Sequence, residues 1–231
     1  MIRVTALGLY FAGGGHGVPP RHKKILDRSF QKEYKYFTMA RQKEFDKDEA
    51  LHKAMETFWA RGYEATSIQH LVESMGINRQ SLYDTFGDKH ALFLAALDHY
   101  RDVESRKVFE LLEGPGSVKK AVRQLYTGVI ECSLESKQRR GCFMSNAISE
   151  LAGRCKETAA RTCSNMNALE DALYRALVRG KKSGELTNIS DPRAVARFLY
   201  SNLQGLTLVA KANPDRKALE DVVKISLSVL G

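Results

Sequence analysis

The chain has 231 residues, of which 43% are hydrophobic and 27% charged, with four cysteines and a formal net charge of +9. That balance excludes wholesale disorder and allows one large helical domain or a small domain joined to a larger one. No apolar run approaches the roughly eighteen residues of a spanning helix, and the positive charge favours a polyanionic partner.

Residues 1–43 show no periodicity. "MIRVTALGLYFAGGGHGVPP" resembles a secretion signal only poorly, because it ends in glycine and proline without a small-residue cleavage site. Its "GGGHG" lacks the Gly-Lys-Ser/Thr that a phosphate loop requires. With the basic "RHKKILDRSFQKEYKYF" it reads as a disordered basic extension, and Met39 looks like an ordinary start.

From Asp46 the pattern becomes helical. Leu51, Ala54, Met55 and Phe58 form one apolar face on a helix closed by Gly62. Thr66 or Ser67 can cap a short second helix carrying Ile68, Leu71, Val72 and Met75, which Gly76 ends. Ile77 plugs the turn, Asn78 caps a third helix with Leu82 and Phe86 inward, and Gly87-Asp88 leads into a fourth helix over 89–112. "EGPGS" at 113–117 is the clearest break. Beyond it helices are expected at about 118–136, 141–152, 156–182, 191–211 and 215–230, so the fold class is all-α. Two units are expected, a three-helix one over 44–92 and a larger helical one over 93–231.

Two short helices joined by a glycine-containing turn form a helix-turn-helix, whose second helix can enter the major groove. With Leu82 and Phe86 inward, Arg79, Gln80, Ser81 and Tyr83 lie on or beside the exposed face, and their chemistry suits base edges and phosphates. Spacing alone leaves a plain polar surface equally open. "GYEATSIQHLVESMGINRQSLYDTFGDKHALFLAAL" closely resembles the TetR family of bacterial transcriptional regulators, with Gly-Tyr before the first cap, Leu-Tyr-x-x-Phe in the third helix and Lys after Gly-Asp.

The resemblance implies phosphate contacts at Thr66, Tyr83 and Lys89 and base contacts at Arg79, Gln80 and Ser81, with Ser67 and Asn78 beside them. It implies a cytoplasmic homodimer bound to a double-stranded operator and released by a small effector, without enzymatic activity, cofactor or membrane. "GELTNISDPRAVARFLYSNLQGLTLVAKA" resembles the family's eighth helix, which implies dimerisation through the last two helices. Val195, Phe198, Leu199, Asn202, Leu206 and Val209 form one stripe there, joined by Val222 and Ile225 on a final helix that is apolar nearly all round. The effector pocket expected from the family is assigned to Tyr100, Tyr126, Val129, Cys142, Phe143, Asn146 and Met166.

"RRGCFMSNAISEL" resembles a segment of family members that sense electrophiles or oxidants. Cys142 at a helix start beside Arg139 and Arg140 thus opens an alternative reading as a thiol-based regulator or, more remotely, a helical thiol enzyme. Packing is the simpler fate for this thiol, and is the reading for Cys132, Cys155 and Cys163. His52, His70, His90 and His99 lack a second ligand at i+3 or i+4, so no metal site is expected.

Overall fold

Each of the first four helices begins where a side chain accepts the free amides of its first turn. In the computed structural model, which describes residues 45–135 and 139–231, Asp46 accepts from the amides of Asp48 and Glu49 at 2.8 and 3.1 Å and opens α1 (Lys47–Arg61). Ser67 and His70 form a reciprocal cap for α2 (Ile68–Met75), Asn78 accepts from the Ser81 amide at 2.8 Å to start α3 (Arg79–Phe86), and Asp88 accepts from Ala91 at 2.7 Å to start α4 (Lys89–Tyr100). Gly76, at φ +69°, ends α2 in the left-handed conformation that a glycine adopts without steric cost. The extension expected over residues 1–43 lies outside the described residues.

The helix expected over 89–112 runs to Glu113 but contains a π-helical turn, Arg101–Ser105, between α4 and α5 (Arg106–Glu113). After the Gly114–Ser117 turn come α6 (Val118–Glu135), α7 (Phe143–Ala147) with a second π turn over Ile148–Ala152, and the long α8 (Lys156–Lys182). α9 (Pro192–Ala212) and α10 (Arg216–Leu227) finish the chain, α10 tightening into a 3₁₀ turn at Ser228–Leu230. No strand occurs among the described residues, and no helix among them is long and apolar enough to cross a membrane.

Two hydrophobic cores organise these helices. The first gathers Phe58, Leu71, Leu82, Leu92, Phe93 and Leu97 from α1–α4, together with Phe143, Met144, Ala147 and Leu151 from the α7 segment. The boundary expected at 92/93 falls inside this core. Leu92 and Phe93 belong to one core, α4 is shared, and Phe143 packs edge-on against Phe93 at a ring separation of 5.7 Å. The second core holds Leu112, Tyr126, Leu173, Leu199, Leu206 and Leu219 from α5, α6, α8, α9 and α10. Within it the Tyr126 hydroxyl donates to the Leu199 carbonyl at 2.7 Å. A Cβ at Gly180 would stand 2.6 Å from Leu186 Cδ1, so only glycine lets the end of α8 meet the Leu186 loop.

Candidate nucleic-acid interface

Helix α3 has one inward face, set by Leu82 at 0% exposure with Phe86 packed beside it. A helix turns 100° per residue, so burying Leu82 leaves the first turn of α3 facing outward. Asn78, Arg79 and Gln80 are exposed, Ser81 is half-buried, and Tyr83 is 42% exposed although large and aromatic. These groups sit around the start of a helix, where unpaired amides and the positive dipole end favour an anion. In the free protein Gln80 Nε2 donates to Asp84 Oδ1 at 2.8 Å, so one of its amide groups is engaged within the helix. The side chain of Asn78 is spent on its cap.

At the opposite end of the motif Lys89 Nζ lies 4.3 Å from the Tyr63 ring centroid, a cation–π contact that orders an otherwise free lysine. Ser67 is exposed at the start of α2, where its hydroxyl oxygen accepts from His70. Thr66 departs from the expected phosphate position. It is 1% exposed, and its hydroxyl donates to the Gly62 carbonyl at 2.6 Å, closing the α1–α2 turn.

That turn is held from the second half of the chain. Glu150 accepts from the amides of Tyr63 and Glu64, both at 2.8 Å. Gly62 has φ +83°, and a Cβ there would lie 3.0 Å from the Glu150 carboxylate. Nearby, Trp59 Nε1 donates to the Gly141 carbonyl at 2.9 Å, while the Arg140 guanidinium stacks over the Trp59 ring at 4.2 Å and pairs with Glu56. The other side of α7 faces α9: Ser145 bonds Gln204, and Lys211 donates to Asn146 Oδ1 at 3.1 Å. The α7 segment therefore touches α1, the α1–α2 turn and the penultimate helix, a link that sequence spacing does not reveal.

The seven residues expected to line one effector pocket divide among these surroundings. Tyr100, Cys142 and Phe143 belong with the first core; Tyr126, Val129 and Met166 belong with the second; Asn146 lies on the α7–α9 seam. Tyr126 is spent on Leu199. At the seam the Tyr100 hydroxyl approaches Cys142 Sγ at 3.8 Å, and burial, then the neighbouring Cys142, holds the phenols of Tyr100 and Tyr200 above the ordinary tyrosine range. Tyr200, Ser145 and Gln204 are absent from the expected set, as is Asn165 of α8, which is 2% exposed with an Oδ1 that has no hydrogen-bond partner. A polar residue on a helix reads as surface until its neighbours are known.

The stripe expected on α9 divides between two faces. Leu199 and Leu206 are 0% and 2% exposed and point into the second core, while Phe198, Asn202, Gly205 and Val209 run along the outer face. Leu208, at 69%, was not foreseen; Val222 and Ile225 of α10 are exposed as expected, and Val195 packs against the second core. Ser201, Asn202, Gly205, Leu206, Val209 and Val222 line a shallow groove between the two helices.

Two of the four thiols also depart from expectation. Cys132 and Cys163 are exposed, not packed. Cys142 is half-buried against the first core, and Arg140, expected to activate it, is committed to Trp59 and Glu56. The thiol-regulator reading loses its main support there. Cys155 caps α8, where its sulfur accepts from the Thr158 amide at 3.4 Å and lies 3.3 Å from His90 Nε2.

Residues 50–96 match the family model "Bacterial regulatory proteins, tetR family", and residues 115–225 match "Tetracyclin repressor-like, C-terminal domain". The chain is 41% identical over 193 residues to the HTH-type transcriptional regulator YezE of Bacillus subtilis (strain 168), covering 83% of this chain and 100% of that protein. It is 32% identical over 191 residues to the HTH-type transcriptional repressor ComR of Escherichia coli (strain K12), covering 82% and 90%. Among solved structures it is similar to a cysteine mutant of the TetR family regulator CifR complexed with 26 bp double-strand operator DNA, at TM-score 0.72 and 31% identity over 83% of this chain and 100% of that one. The helix-turn-helix geometry, the two matched regions and these relatives together place the chain in the TetR family of bacterial transcriptional regulators.

Proposed function

We propose that this protein is a cytoplasmic, homodimeric repressor that reads a near-palindromic operator with α3 and is released from it by a small effector. The observation that carries the reading is the outward face of α3, where burial of Leu82 leaves Arg79, Gln80 and Tyr83 exposed at the helix start. Arg79 is assigned to a guanine edge, Gln80 to an adenine and Ser81 to a neighbouring base edge; Ser67, Tyr83 and Lys89 are assigned to phosphates, the backbone amides of α2 and α4 assisting. Thr66 and Asn78 support the fold of the motif. Gln80 must turn its amide from Asp84 to make a bidentate contact.

Dimerisation is assigned to Phe198, Asn202, Gly205, Leu208 and Val209 of α9 with Val222 and Ile225 of α10, because large apolar side chains cluster there on the surface. Nothing within the protomer lies within 4 Å of a Cβ built on Gly205, so a partner helix could approach closely there. A two-fold dimer reads two half-sites related by its own symmetry. The effector is assigned to the surroundings of Tyr100, Cys142 and Tyr200, and the buried Asn165, whose Oδ1 has no partner, offers an acceptor within the same half of the chain to a ligand with a hydrogen-bond donor. Such a ligand lowers DNA affinity only by binding the DNA-incompetent arrangement more tightly, and the α7 segment offers a route from α9 to α1 and the α1–α2 turn.

The test is a fluorescence-anisotropy titration of a palindromic duplex and its isolated half-site. A dimer should bind the full site far more tightly than the half-site, and full affinity in a protein shown to be monomeric would overturn the reading.

A further inference from the structure

A cluster of potential metal donors lies beside the α1–α2 turn, where Tyr63 and Glu64 line one cleft with His90, Leu151, Cys155 and Glu157. His90 Nε2, Cys155 Sγ and a Glu157 carboxylate oxygen all lie within 4.8 Å of one another. The sulfur is 3.3 Å from His90 Nε2 and 3.4 Å from Glu157 Oε2. In a tetrahedral site with metal–sulfur near 2.3 Å and metal–nitrogen or metal–oxygen near 2.0 Å, two ligand atoms stand about 3.5 Å apart. The two edges that include the sulfur already stand close to those of such a tetrahedron, and the third is within 4.8 Å.

The supporting groups suit the same purpose. The Thr158 amide and hydroxyl point at the sulfur, at 3.4 and 3.2 Å, and would stabilise a thiolate as outer-shell donors do around metal-bound sulfur. The His90 ring packs edge-on against Tyr63 at 5.9 Å, which limits its rotation. Cysteine is not a favoured helix cap, whereas serine at that position would serve α8 better. The cluster opens onto a cleft that Glu64 also lines, leaving room for a fourth ligand from solvent.

We propose that His90, Cys155 and Glu157 form a three-ligand site for a thiophilic divalent cation of the zinc class, with water in the fourth position. Sulfur and imidazole donors select such an ion over magnesium or calcium. On binding, the Cys155 thiol loses its proton to solvent as the metal–sulfur bond forms, and neutral His90 donates its Nε2 lone pair. The ion clasps the start of α4, one residue beyond Lys89, to the first turn of α8.

The test uses the full-length, untagged chain and cobalt(II) as a spectroscopic stand-in, with zinc as competitor and no DNA present, so failure here leaves the operator reading untouched. One cobalt per protomer should bind, giving a thiolate-to-cobalt charge-transfer band that zinc abolishes. Cys155→Ser keeps the helix cap, so the variant should fold. It should lose the band and weaken zinc binding at least about tenfold, the loss that even outer-shell changes produce. Glu157→Gln should keep the band and bind zinc more weakly. Zinc should raise the melting temperature of the parent protein but not of Cys155→Ser. Absence of the band, or its persistence in Cys155→Ser, would overturn the proposal.

Discussion

Helices α1–α4 and helices α9–α10 carry apolar periodicity of similar clarity, yet the outward face follows from the sequence only in the first group. Around α3 the non-core positions are polar, so locating Leu82 and Phe86 also locates Arg79 and Gln80. On α9 two adjacent faces are apolar: Leu199, Leu203, Leu206 and Ala210 enter the protomer core while Phe198, Leu208 and Val209 face outward. A helix with two apolar faces supports two registers one residue apart, and burial alone separates them.

The largest expected effect tests the first core. Phe58 is 0% exposed between Tyr63 and Phe93, and Phe58→Ala should cost about 3–5 kcal/mol, measured by urea unfolding. A loss near 1 kcal/mol would mean that the helices around it are not one packed unit.

The two faces of α9 separate next. Val209→Asp places a charge on the outer face and should turn the dimer into monomer in sedimentation analysis, weakening operator binding at least about tenfold, or ~1.4 kcal/mol. The protomer should keep its helical circular dichroism, because Val209 is 50% exposed. Leu206→Asp, one register inward, should instead unfold the second core. Similar behaviour in both variants would erase the distinction drawn between the faces.

Asn78→Ala removes a cap from α3 without touching its outward side chains and should lower stability by about 1 kcal/mol. The smallest effect concerns His52 and His99, whose ring nitrogens meet at 3.3 Å. Burial, then the neighbouring His52, holds the His99 pKa below its ordinary 6.5. The unfolded chain therefore takes up this proton first as the pH falls, so the contribution is present above about pH 6.5 and is lost on acidification. His99→Asn should flatten the melting temperature between pH 7 and 5, and an unchanged slope would show the pair to be inert.

The start of every N-terminal helix was legible because its signals are local: Asn78 and Asp88 cap the helix that follows them, and Gly76 ends the one before it. Long-range pairings were not legible. Glu150 reaches back 87 residues to Tyr63, and His90 meets Cys155 across 65 residues, so a search at i+3 and i+4 passes over both. Thr66 was misplaced for a related reason. Threonine before a helix can cap with its side chain outward or close the preceding turn, and the Gly62 carbonyl at 2.6 Å decides for the turn. The residues expected along one effector wall, from Tyr100 to Met166, come from α4, α6, α7 and α8 and divide between two cores, a division that no helix's own periodicity records.

The face of α3 is most directly tested by titrating Arg79→Ala against a set of operators varied one base pair at a time. Arg79 is exposed and makes no side-chain bond among the described residues, so the variant should melt like the parent. It should lose about 1–3 kcal/mol of discrimination at one base pair per half-site and retain it elsewhere. Unchanged discrimination at every position, with operator binding intact, would contradict the assignment of this face to the bases.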